Sequence, residues 1–201
     1  MNYKHLVRLN KLLQEPRWPL TPAQMATLEQ YHPQQALNTV GGLVAMLWDI
    51  KKDIAIRNAA EVGCFKGVST EVLAMYCDQL YAIDPWADDE DIYVQFQARM
   101  SSYDNVTVLR AASPEVCDNF NYGTFDLVYL DGMHTYKEVV DDIECWLPLV
   151  RPGGFLCGHD YVDYEDSWAA QWIQVYAAVN DILGSPHKVY ADSSWLYKVP
   201  E

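Results

Sequence analysis

The sequence has few basic residues, and this scarcity limits the partners that it can bind. Only 14 of its 201 residues are lysine or arginine, against 28 aspartates and glutamates, which gives a formal net charge of −14. A field of this sign repels phosphate backbones and anionic lipid headgroups. Nucleic acids and membrane surfaces are therefore not expected as partners. The simplest role of the negative charge is to keep the protein soluble.

Long apolar runs and paired cysteine motifs are also absent. No segment approaches about 18 consecutive apolar residues, and the N-terminal stretch "MNYKHLVRLNKLLQEPRWPL" lacks the continuous apolar region of a signal peptide. The five cysteines form no C-x-x-C pair, and their odd number prevents complete internal pairing. We therefore expect reduced, mostly buried thiols and a cytoplasmic location.

Neither of two common phosphate-binding loops occurs, because the sequence contains no G-x-G-x-x-G and no G-x-x-x-x-G-K-[ST]. The first apolar strand leads instead into "AAEVGCFKGVST", with Gly63 and Gly67 four residues apart and Glu61 just before them. Glycines let the backbone approach a ligand, and Ser69 begins a helix whose free N–H groups can face it. A carboxylate beside this loop would repel a pyrophosphate and attract an amino group; a purely geometric turn is the alternative.

Strand-like and helix-like segments alternate along the chain, which predicts an α/β domain over residues 41–201 behind a helical cap or interface segment over residues 1–40. The predicted strands are Ile54–Val62, Gln79–Ile83, Val106–Arg110, Phe125–Leu130, Gly154–Gly158, "HKVYAD" and "SWLYKV". The predicted helices are Lys4–Gln14, one starting at Thr21, "LVAMLWDIKK", Ser69–Cys77, Ile92–Ser101, Pro114–Asn119, Tyr136–Leu149 and Ser167–Leu183. In such sheets ligands bind beyond the carboxyl ends of the strands, beside the first strand.

Candidate ligand-binding residues end the second and third predicted strands. Asp84 closes "LYAIDPW", 23 residues after Glu61, which is near the spacing at which an acid accepts hydrogen bonds from ribose hydroxyls. Trp86 offers a flat face for a purine. Ala112 and Ser113 follow the third strand in "VLRAASPEV". Taken singly, Asp84 also fits a turn, and Ser113 also fits a Ser-Pro helix start.

Acids and histidines end the next two strands, where catalysis would take place. Asp131 ends the fourth strand in "VYLDGMHTY", and His159 and Asp160 end the fifth in "FLCGHDY". Adjacent parallel strands would bring these groups to one edge, where clustered oxygen ligands can hold a divalent cation. His134 could remove a proton at neutral pH, although a structural histidine at a helix start is its competitor.

Two further groups of residues are interpreted as surroundings of the site. The acids of the helix "YKEVVDDIECWLPLV" are predicted to be solvated or to stabilise the helix rather than to bind a ligand, namely Asp141, Asp142 and Glu144. Aromatic residues of the N-terminal segment and of the loop "YVDYEDSW" are expected to wall a substrate pocket or a dimer interface, namely Trp18, Tyr31, Tyr161, Tyr164 and Trp168.

Five segments read in order resemble the class I S-adenosylmethionine-dependent methyltransferases. They are "AAEVGCFKGVST", "YAIDPW", "VTVLRAASPEV", "FDLVYLDGMHTYKEVVDDIECWLPLVRPGGFLCGHDY" and "SWLYKV". The resemblance covers residues 40 to 199 and is strongest to the small metal-dependent O-methyltransferases of the catechol and macrolide-sugar types. It implies a Rossmann-like seven-stranded sheet of order 3-2-1-4-5-7-6, with strand 7 antiparallel and helices on both faces.

The resemblance also implies roles for the residues already singled out. The glycine loop would hold the methionine part of S-adenosylmethionine, the acid after strand 2 would bind ribose, and the small residues after strand 3 would contact adenine. With their neighbours, the candidate cofactor-binding residues are Glu61, Gly63, Cys64, Gly67, Ser69, Asp84, Pro85, Trp86, Ala112, Ser113 and Asp131. The residues that the resemblance assigns to catalysis are His134 and Asp131, where catechol-type relatives carry a lysine in place of this histidine.

The implied metal ligands are Asp131, His159 and Asp160, and here the sequence departs from an Asp-Asn-like pair after strand 5. A histidine among the ligands makes Mn, Fe or Zn as credible as Mg, and leaves open a metal-free enzyme with histidine as the base. The expected activity is O-methylation of a small hydroxylated molecule such as a sugar, a phenol or a natural-product intermediate. A catalytically inactive binding module with the same fold is the alternative, a dinucleotide oxidoreductase is disfavoured by the loop, and a homo-oligomer is left open.

Overall fold

A computed structural model describes residues 3–15, 39–87, 89–165 and 168–201 of the protein. Two expectations of the N-terminal segment lie outside these residues, namely the helix that starts at Thr21 and the aromatic side chains of Trp18 and Tyr31. The side chain of Trp168 also lies outside the described part.

The described elements alternate as the sequence pattern predicts. The α-helices are α1 (Tyr3–Leu12), α2 (Gly41–Asp53), α3 (Val68–Tyr76), α4 (Glu90–Met100), α5 (Ser113–Cys117), α6 (Tyr136–Trp146) and α7 (Val175–Leu183). The strands are β1 (Asn58–Val62), β2 (Gln79–Ile83), β3 (Val106–Leu109), β4 (Phe125–Leu130), β5 (Val150–Gly158), β6 (Lys188–Val189) and β7 (Trp195–Lys198). Short 3₁₀ turns cover Leu147–Leu149 and Trp168–Gln171.

The strands form one sheet of order β3-β2-β1-β4-β5-β7-β6, which confirms the expected topology. Strands β1 to β5 pair in parallel, whereas β7 runs antiparallel to both β5 and β6. The strand order reverses between β1 and β4, and a crevice opens at such a switch point beyond the carboxyl ends of the strands. The sheet therefore brings the loops after β1, β2, β3 and β4 to one edge.

Apolar side chains cover both faces of this sheet. On one face Leu12 of α1, Leu47 of α2 and Val72 of α3 pack over the central strands, and on the other Ile143 of α6 and Val179 of α7 do so. The stripe at Ile143 and its neighbours follows the 3.6-residue period that predicted a core-facing helix. Within the described ranges, no helix is both long and apolar enough to cross a bilayer.

The predicted helix over Ser167–Leu183 is wrong in its first half. The α-helix begins only at Val175, after a 3₁₀ turn. Gln174 is the cause, because its backbone N–H donates to the His134 carbonyl at 2.8 Å and its side-chain oxygen accepts from the Tyr136 backbone N–H at 2.9 Å. The backbone contact uses the N–H that a continuous helix would pair four residues back, and both contacts tie the segment to the start of α6.

Helix α1 is held to helix α3 by a buried carboxylate. Glu71 of α3 is 3% exposed and accepts two hydrogen bonds from Arg8 of α1, at 2.7 and 2.6 Å. It also accepts from Arg99 at 3.1 Å and from the Tyr103 hydroxyl at 2.9 Å, while Arg99 pairs in addition with Glu15. Burial alone would raise the pKa of Glu71, but these partners outweigh it and lower that pKa. The ionised side chain thus joins α1, α3 and α4.

The expectation of fully reduced cysteines is wrong for one pair. Cys117 of α5 and Cys145 of α6 form a disulfide with a Cα–Cα distance of 6.1 Å, although 28 residues separate them in sequence. The other three cysteines, Cys64, Cys77 and Cys157, are free thiols whose pKa values are raised by burial. The sequence could not show the pairing, because only the packing of α5 on α6 brings the two side chains together.

The disulfide should stabilise the fold measurably. A cross-link between residues 28 positions apart lowers the conformational entropy of the unfolded chain and so raises the free energy of unfolding by about 3.6 kcal/mol. We therefore expect dithiothreitol to lower the free energy of unfolding of the wild-type protein by about that amount in urea titrations. The double variant Cys117→Ser, Cys145→Ser is the control: it should start at the lower stability and be unaffected by the reductant. An equal effect of reductant on both proteins would contradict this prediction.

Candidate functional site

A cavity of about 460 Å³ opens at the switch point, beyond the carboxyl ends of β1 to β4. Its lining includes side chains or backbone from each of the four loops that follow these strands. Six of the residues assigned to the cofactor from sequence lie in its wall, namely Gly63, Asp84, Pro85, Ala112, Ser113 and Asp131. His134 lines the same cavity, so the predicted base and the predicted cofactor residues share one space.

The loop after β1 needs its first glycine for two reasons. Gly63 has φ +86°, and a Cβ there would lie 2.2 Å from the Asp131 carbonyl oxygen. The loops after β1 and β4 therefore approach each other more closely than any side chain would allow. Gly67, at φ +81°, precedes the first residue of α3 and turns the chain into that helix.

Asp84 organises this loop from the neighbouring strand. One of its carboxylate oxygens accepts from the backbone N–H groups of Cys64 and Phe65, both at 2.9 Å, and the other accepts from the Trp86 N–H at 2.8 Å. The sequence predicted a ribose ligand at this position, and the structure adds that the same carboxylate fixes the glycine loop. Asp84 also lines the cavity, where the one acceptor site of the carboxylate that these N–H groups leave unused is available to a ligand.

Two of the remaining residues assigned to the cofactor line a smaller pocket beside the main cavity. Cys64 and Ser69 lie in this pocket of about 40 Å³, whose wall also includes Gly63 and Asp131. The loop after β1, the start of α3 and Asp131 after β4 therefore meet at this end of the site.

Three residues assigned to the cofactor line neither space, namely Glu61, Gly67 and Trp86. Glu61 is completely buried near the end of β1, beneath the loop. Trp86 is 4% exposed, packs against Tyr93 and Phe96, and donates from its indole N–H to the Phe65 carbonyl at 2.9 Å. The interpretation of Trp86 as a purine platform is therefore not supported: its ring belongs to the core under α4.

The acids and histidines after β4 and β5 meet in one cluster, which we call the Asp-His cluster. His134 Nε2 lies 2.9 Å from Asp160 Oδ2, and His159 Nδ1 lies 3.1 Å from the same oxygen. Asp131 Oδ1 is 3.8 Å from His134 Nε2 and 3.9 Å from His159 Nδ1. Ligand atoms of Asp131, His134 and Asp160 all lie within 4.8 Å of one another.

The two histidines of the cluster differ in access. The His134 side chain is 26% exposed and faces the cavity, whereas the His159 side chain is 1% exposed and lies behind Asp160. Burial would raise the pKa of Asp160, but His159 and His134 together lower it well below its usual range. The cluster therefore holds an ionised carboxylate between an accessible imidazole and a buried one.

Asp142 is a site residue that the sequence interpretation missed. It was predicted to be solvated or to stabilise its helix; instead it is 8% exposed and lines the cavity next to Ser113. The Ser113 hydroxyl donates to its carboxylate, and burial raises the pKa of Asp142 to about 6. The sequence did contain a signal for this burial. Asp142 lies three residues after Val139 and four before Trp146, which is the spacing of residues on the buried face of a helix. Glu144 is exposed, as expected.

The aromatic residues predicted to wall a substrate pocket contribute less than expected. Tyr164 is 3% exposed in a small apolar cluster, and the Tyr161 ring packs at a tilt against Tyr176 while its hydroxyl donates to Asn180 at 3.0 Å. Neither residue lines the cavity. The exposed apolar side chains at its rim are instead Phe65 and Met133.

Comparison with solved structures reproduces this fold. A methyltransferase from Geobacter sulfurreducens superposes with a TM-score of 0.59 at 12% identity, over 100% of this chain and 98% of the other. The N-methyltransferase NodS from Bradyrhizobium japonicum, solved with S-adenosyl-L-homocysteine, gives 0.55 at 16% identity, over 98% and 99% of the two chains. At these identities the likeness concerns the fold.

Sequence comparison adds a distant relative and a family. The protein y4gI of Sinorhizobium fredii is 29% identical over 135 residues, which are 62% of this chain but only 14% of the length of that relative. A family model described as a methyltransferase domain matches residues 60–161, just over half of the chain, from β1 to the residue that follows Asp160. The chain therefore belongs to this methyltransferase-domain family.

Proposed function

We propose that the protein transfers the methyl group of S-adenosylmethionine to an oxygen atom of a small hydroxylated molecule, with the help of a divalent cation. The observation that carries the proposal is a cavity whose wall includes both Gly63 of the glycine loop and Asp131 and His134 of the Asp-His cluster. It would place a cofactor bound by the loop next to groups that can activate a hydroxyl.

The cavity suits this cofactor in size and in charge. Its volume of about 460 Å³ lies within the range of about 300–1,000 Å³ that is usual for small-molecule sites. The acidic residues of its wall are Asp84, Asp131, Glu138, Asp141 and Asp142. S-adenosylmethionine carries a positive sulfonium and a positive amino group, so a wall of this sign attracts it, whereas a dinucleotide pyrophosphate would be repelled.

The Asp-His cluster has a donor set that fits a divalent cation. Two carboxylates and one imidazole, from Asp131, Asp160 and His159, would hold the ion, as the sequence predicted. The distances of 3.1 and 3.9 Å between His159 Nδ1 and the two carboxylates are compatible with ligands of one shared ion. A bound ion of this kind lowers the pKa of a coordinated hydroxyl group. Nitrogen among the ligands favours Mn, Fe or Zn as much as Mg.

His134 is the group placed to remove the proton of the acceptor. Its ring faces the cavity, and its Nε2 is oriented by Asp160 at 2.9 Å. Methyl transfer is an in-line displacement, in which the acceptor oxygen forms a bond to the methyl carbon as the carbon–sulfur bond breaks. The protein's part is to hold the two reactants in line and to take up the proton that the oxygen loses.

Cofactor binding is the first test of the proposal. In calorimetry, we expect S-adenosylmethionine to bind the wild-type protein with micromolar affinity, and Gly63→Ala to abolish detectable binding because a Cβ would collide with the Asp131 carbonyl. Gly184→Ala is the matched control: Gly184 has φ +72° but nothing within 4 Å of a Cβ, so it introduces similar backbone strain far from the cavity. If the wild-type protein binds neither this cofactor nor its demethylated product, the proposal is wrong.

Metal dependence and turnover are tested separately from binding. With radiolabelled cofactor and a panel of phenols and sugars, we expect methylation that is lost on exhaustive chelation and restored by Mn²⁺ or Mg²⁺. Activity that survives chelation would assign the proton transfer to the His134–Asp160 pair without a cation. Cofactor binding without turnover on any acceptor would favour the inactive binding module.

A further inference from the structure

Asp142 occupies a place in the cavity that the proposed methyl transfer does not use. Its carboxylate lies in the wall between Ser113 of α5 and Gly132 of the loop after β4. One oxygen, Oδ1, accepts from the Ser113 hydroxyl, and the Trp146 indole N–H donates to that hydroxyl at 2.7 Å. The Trp146 indole, which is buried in the core, thereby fixes the orientation of the serine and, through it, of the carboxylate.

We call the part of the cavity formed by Ser113 and Asp142 its corner. The side chains of this corner can accept hydrogen bonds from a ligand but cannot donate them. A serine hydroxyl has one hydrogen, and that of Ser113 is given to Asp142, so the serine offers a ligand only a lone pair. An ionised carboxylate is likewise an acceptor only. The second oxygen, Oδ2, lies on the side of Gly132, where even an added Cβ would be 3.5 Å from it. The side chains of Ser113 and Asp142 therefore present acceptors and no donor to a ligand.

The position of this corner indicates which part of the cofactor it meets. The part of the cavity wall that comes from the ends of β2 and β3 is mostly apolar, with Ile83, Pro85, Ala112 and Pro114 beside Asp84 and Ser113. The polar Asp-His cluster and the glycine loop border the cavity around Asp131 and Gly63. A flat aromatic ring gains most from apolar walls against its faces, whereas the sulfonium and amino groups require the polar region. The adenine ring would then lie with its polar edge towards Ser113 and Asp142.

We propose that Asp142 is the residue that recognises the exocyclic amino group of the adenine ring. This inference rests on the proposed use of S-adenosylmethionine. The amino group is a donor, and Oδ2 of Asp142 is the acceptor that this corner offers to it. Ser113 and Trp146 act as positioning residues, because they hold the carboxylate in the orientation that leaves Oδ2 towards the ligand.

The raised pKa of Asp142 agrees with this role. Burial raises it most, the nearby charges of Asp141 and Glu138 raise it further, and the Ser113 hydroxyl lowers it. A buried carboxylate with one donor partner is destabilised in its ionised form. A second donor, supplied by the amino group of the ligand, would relieve that cost, so the carboxylate is better suited to the complex than to the free protein.

The test compares two ligands that differ only in this amino group. Calorimetry would measure S-adenosyl-L-homocysteine and its analogue with unsubstituted purine in place of adenine. We expect the wild-type protein to bind the adenine compound about 30-fold more tightly, as for one hydrogen bond to a charged acceptor. In Asp142→Ala the two affinities should differ by less than about threefold. Glu144→Gln removes an exposed acid of the same helix and should keep the wild-type ratio.

Each possible result of this experiment either supports the inference or overturns it. Equal binding of both ligands by the wild-type protein, or an unchanged ratio in Asp142→Ala, would overturn it. If Asp142→Ala does not fold, the near-isosteric Asp142→Asn carries the test, and its ratio must fall below that of the wild-type protein. A collapsed ratio in Ser113→Ala together with an unchanged ratio in the Asp142 variants would assign recognition to the serine instead. If the wild-type protein binds neither ligand, the proposed function fails rather than this assignment.

Discussion

Replacing Asp160 with asparagine should lower the kcat for methyl transfer by at least about a thousandfold. The carboxylate of Asp160 is the shared partner of His134, at 2.9 Å, and of His159, at 3.1 Å. An amide cannot provide the negative charge that orients both rings and binds a cation. Loss of general-base catalysis alone accounts for about 10²–10⁴-fold, and a weakened metal site adds to it.

Turnover would be measured with the acceptor that the panel identifies, and Mn²⁺ binding by calorimetry. Asp104→Asn is the control, because Asp104 is exposed on the surface and the change of charge is the same. We expect Asp160→Asn to bind S-adenosyl-L-homocysteine nearly as tightly as the wild-type protein, since Asp160 does not line the main cavity. A variant with more than a tenth of wild-type kcat would show that the cluster is not the catalytic centre.

Glu71→Gln should lower the free energy of unfolding of the protein. This change removes the charge that Arg8 and Arg99 share in the interface between α1, α3 and α4. Removing one partner of a buried ion pair costs about 3–5 kcal/mol. Because the Arg8 side chain is 38% exposed and Arg99 keeps Glu15, we expect a loss of about 2–3 kcal/mol in the free energy of unfolding at pH 7.

The pH dependence of that loss checks its origin. The pKa of Glu71 is lowered from 4.5 in the folded protein, so its contribution is fully present above pH 4.5 and disappears as the pH falls through the lower, folded value. Urea titrations at pH 7 and at pH 3 should therefore show a smaller difference between wild type and Glu71→Gln at pH 3. Glu144→Gln, at an exposed position of α6, should change stability by less than about 0.5 kcal/mol. A difference that does not shrink at acidic pH would contradict the ion-pair explanation.

The fold and the general location of the site could be predicted because they depend on local patterns. Apolar runs separated by helical stretches predicted the strands, and the resemblance supplied an order that the sheet confirms. Gly63 and Gly67 were identifiable by their spacing, and both have the positive φ that a close turn needs. Asp131 and Asp160 were predicted to meet because parallel strands end at one edge, and they do.

The features that the sequence did not predict depend on contacts between distant segments. The Cys117–Cys145 bridge joins two helices, and the start of α7 depends on Gln174 reaching the His134 carbonyl. Trp86 was predicted as a ligand platform because the pattern gives its distance from Asp84 but not the direction of its ring. Asp142 was predicted as a surface acid because acids on helices usually face solvent. Its hydrogen bond to Ser113 depends on the packing of α5 against α6.

A crystal structure with S-adenosyl-L-homocysteine and Mn²⁺ tests the central claim most directly. The claim predicts the homocysteine part against the loop from Gly63 to Ser69, the sulfur atom facing Asp131 and His134, and the adenine edge beside Asp142. It also predicts the ion bound to Asp131 and Asp160. The claim would be contradicted by a ligand bound outside this cavity, or by a sulfur atom directed away from the Asp-His cluster.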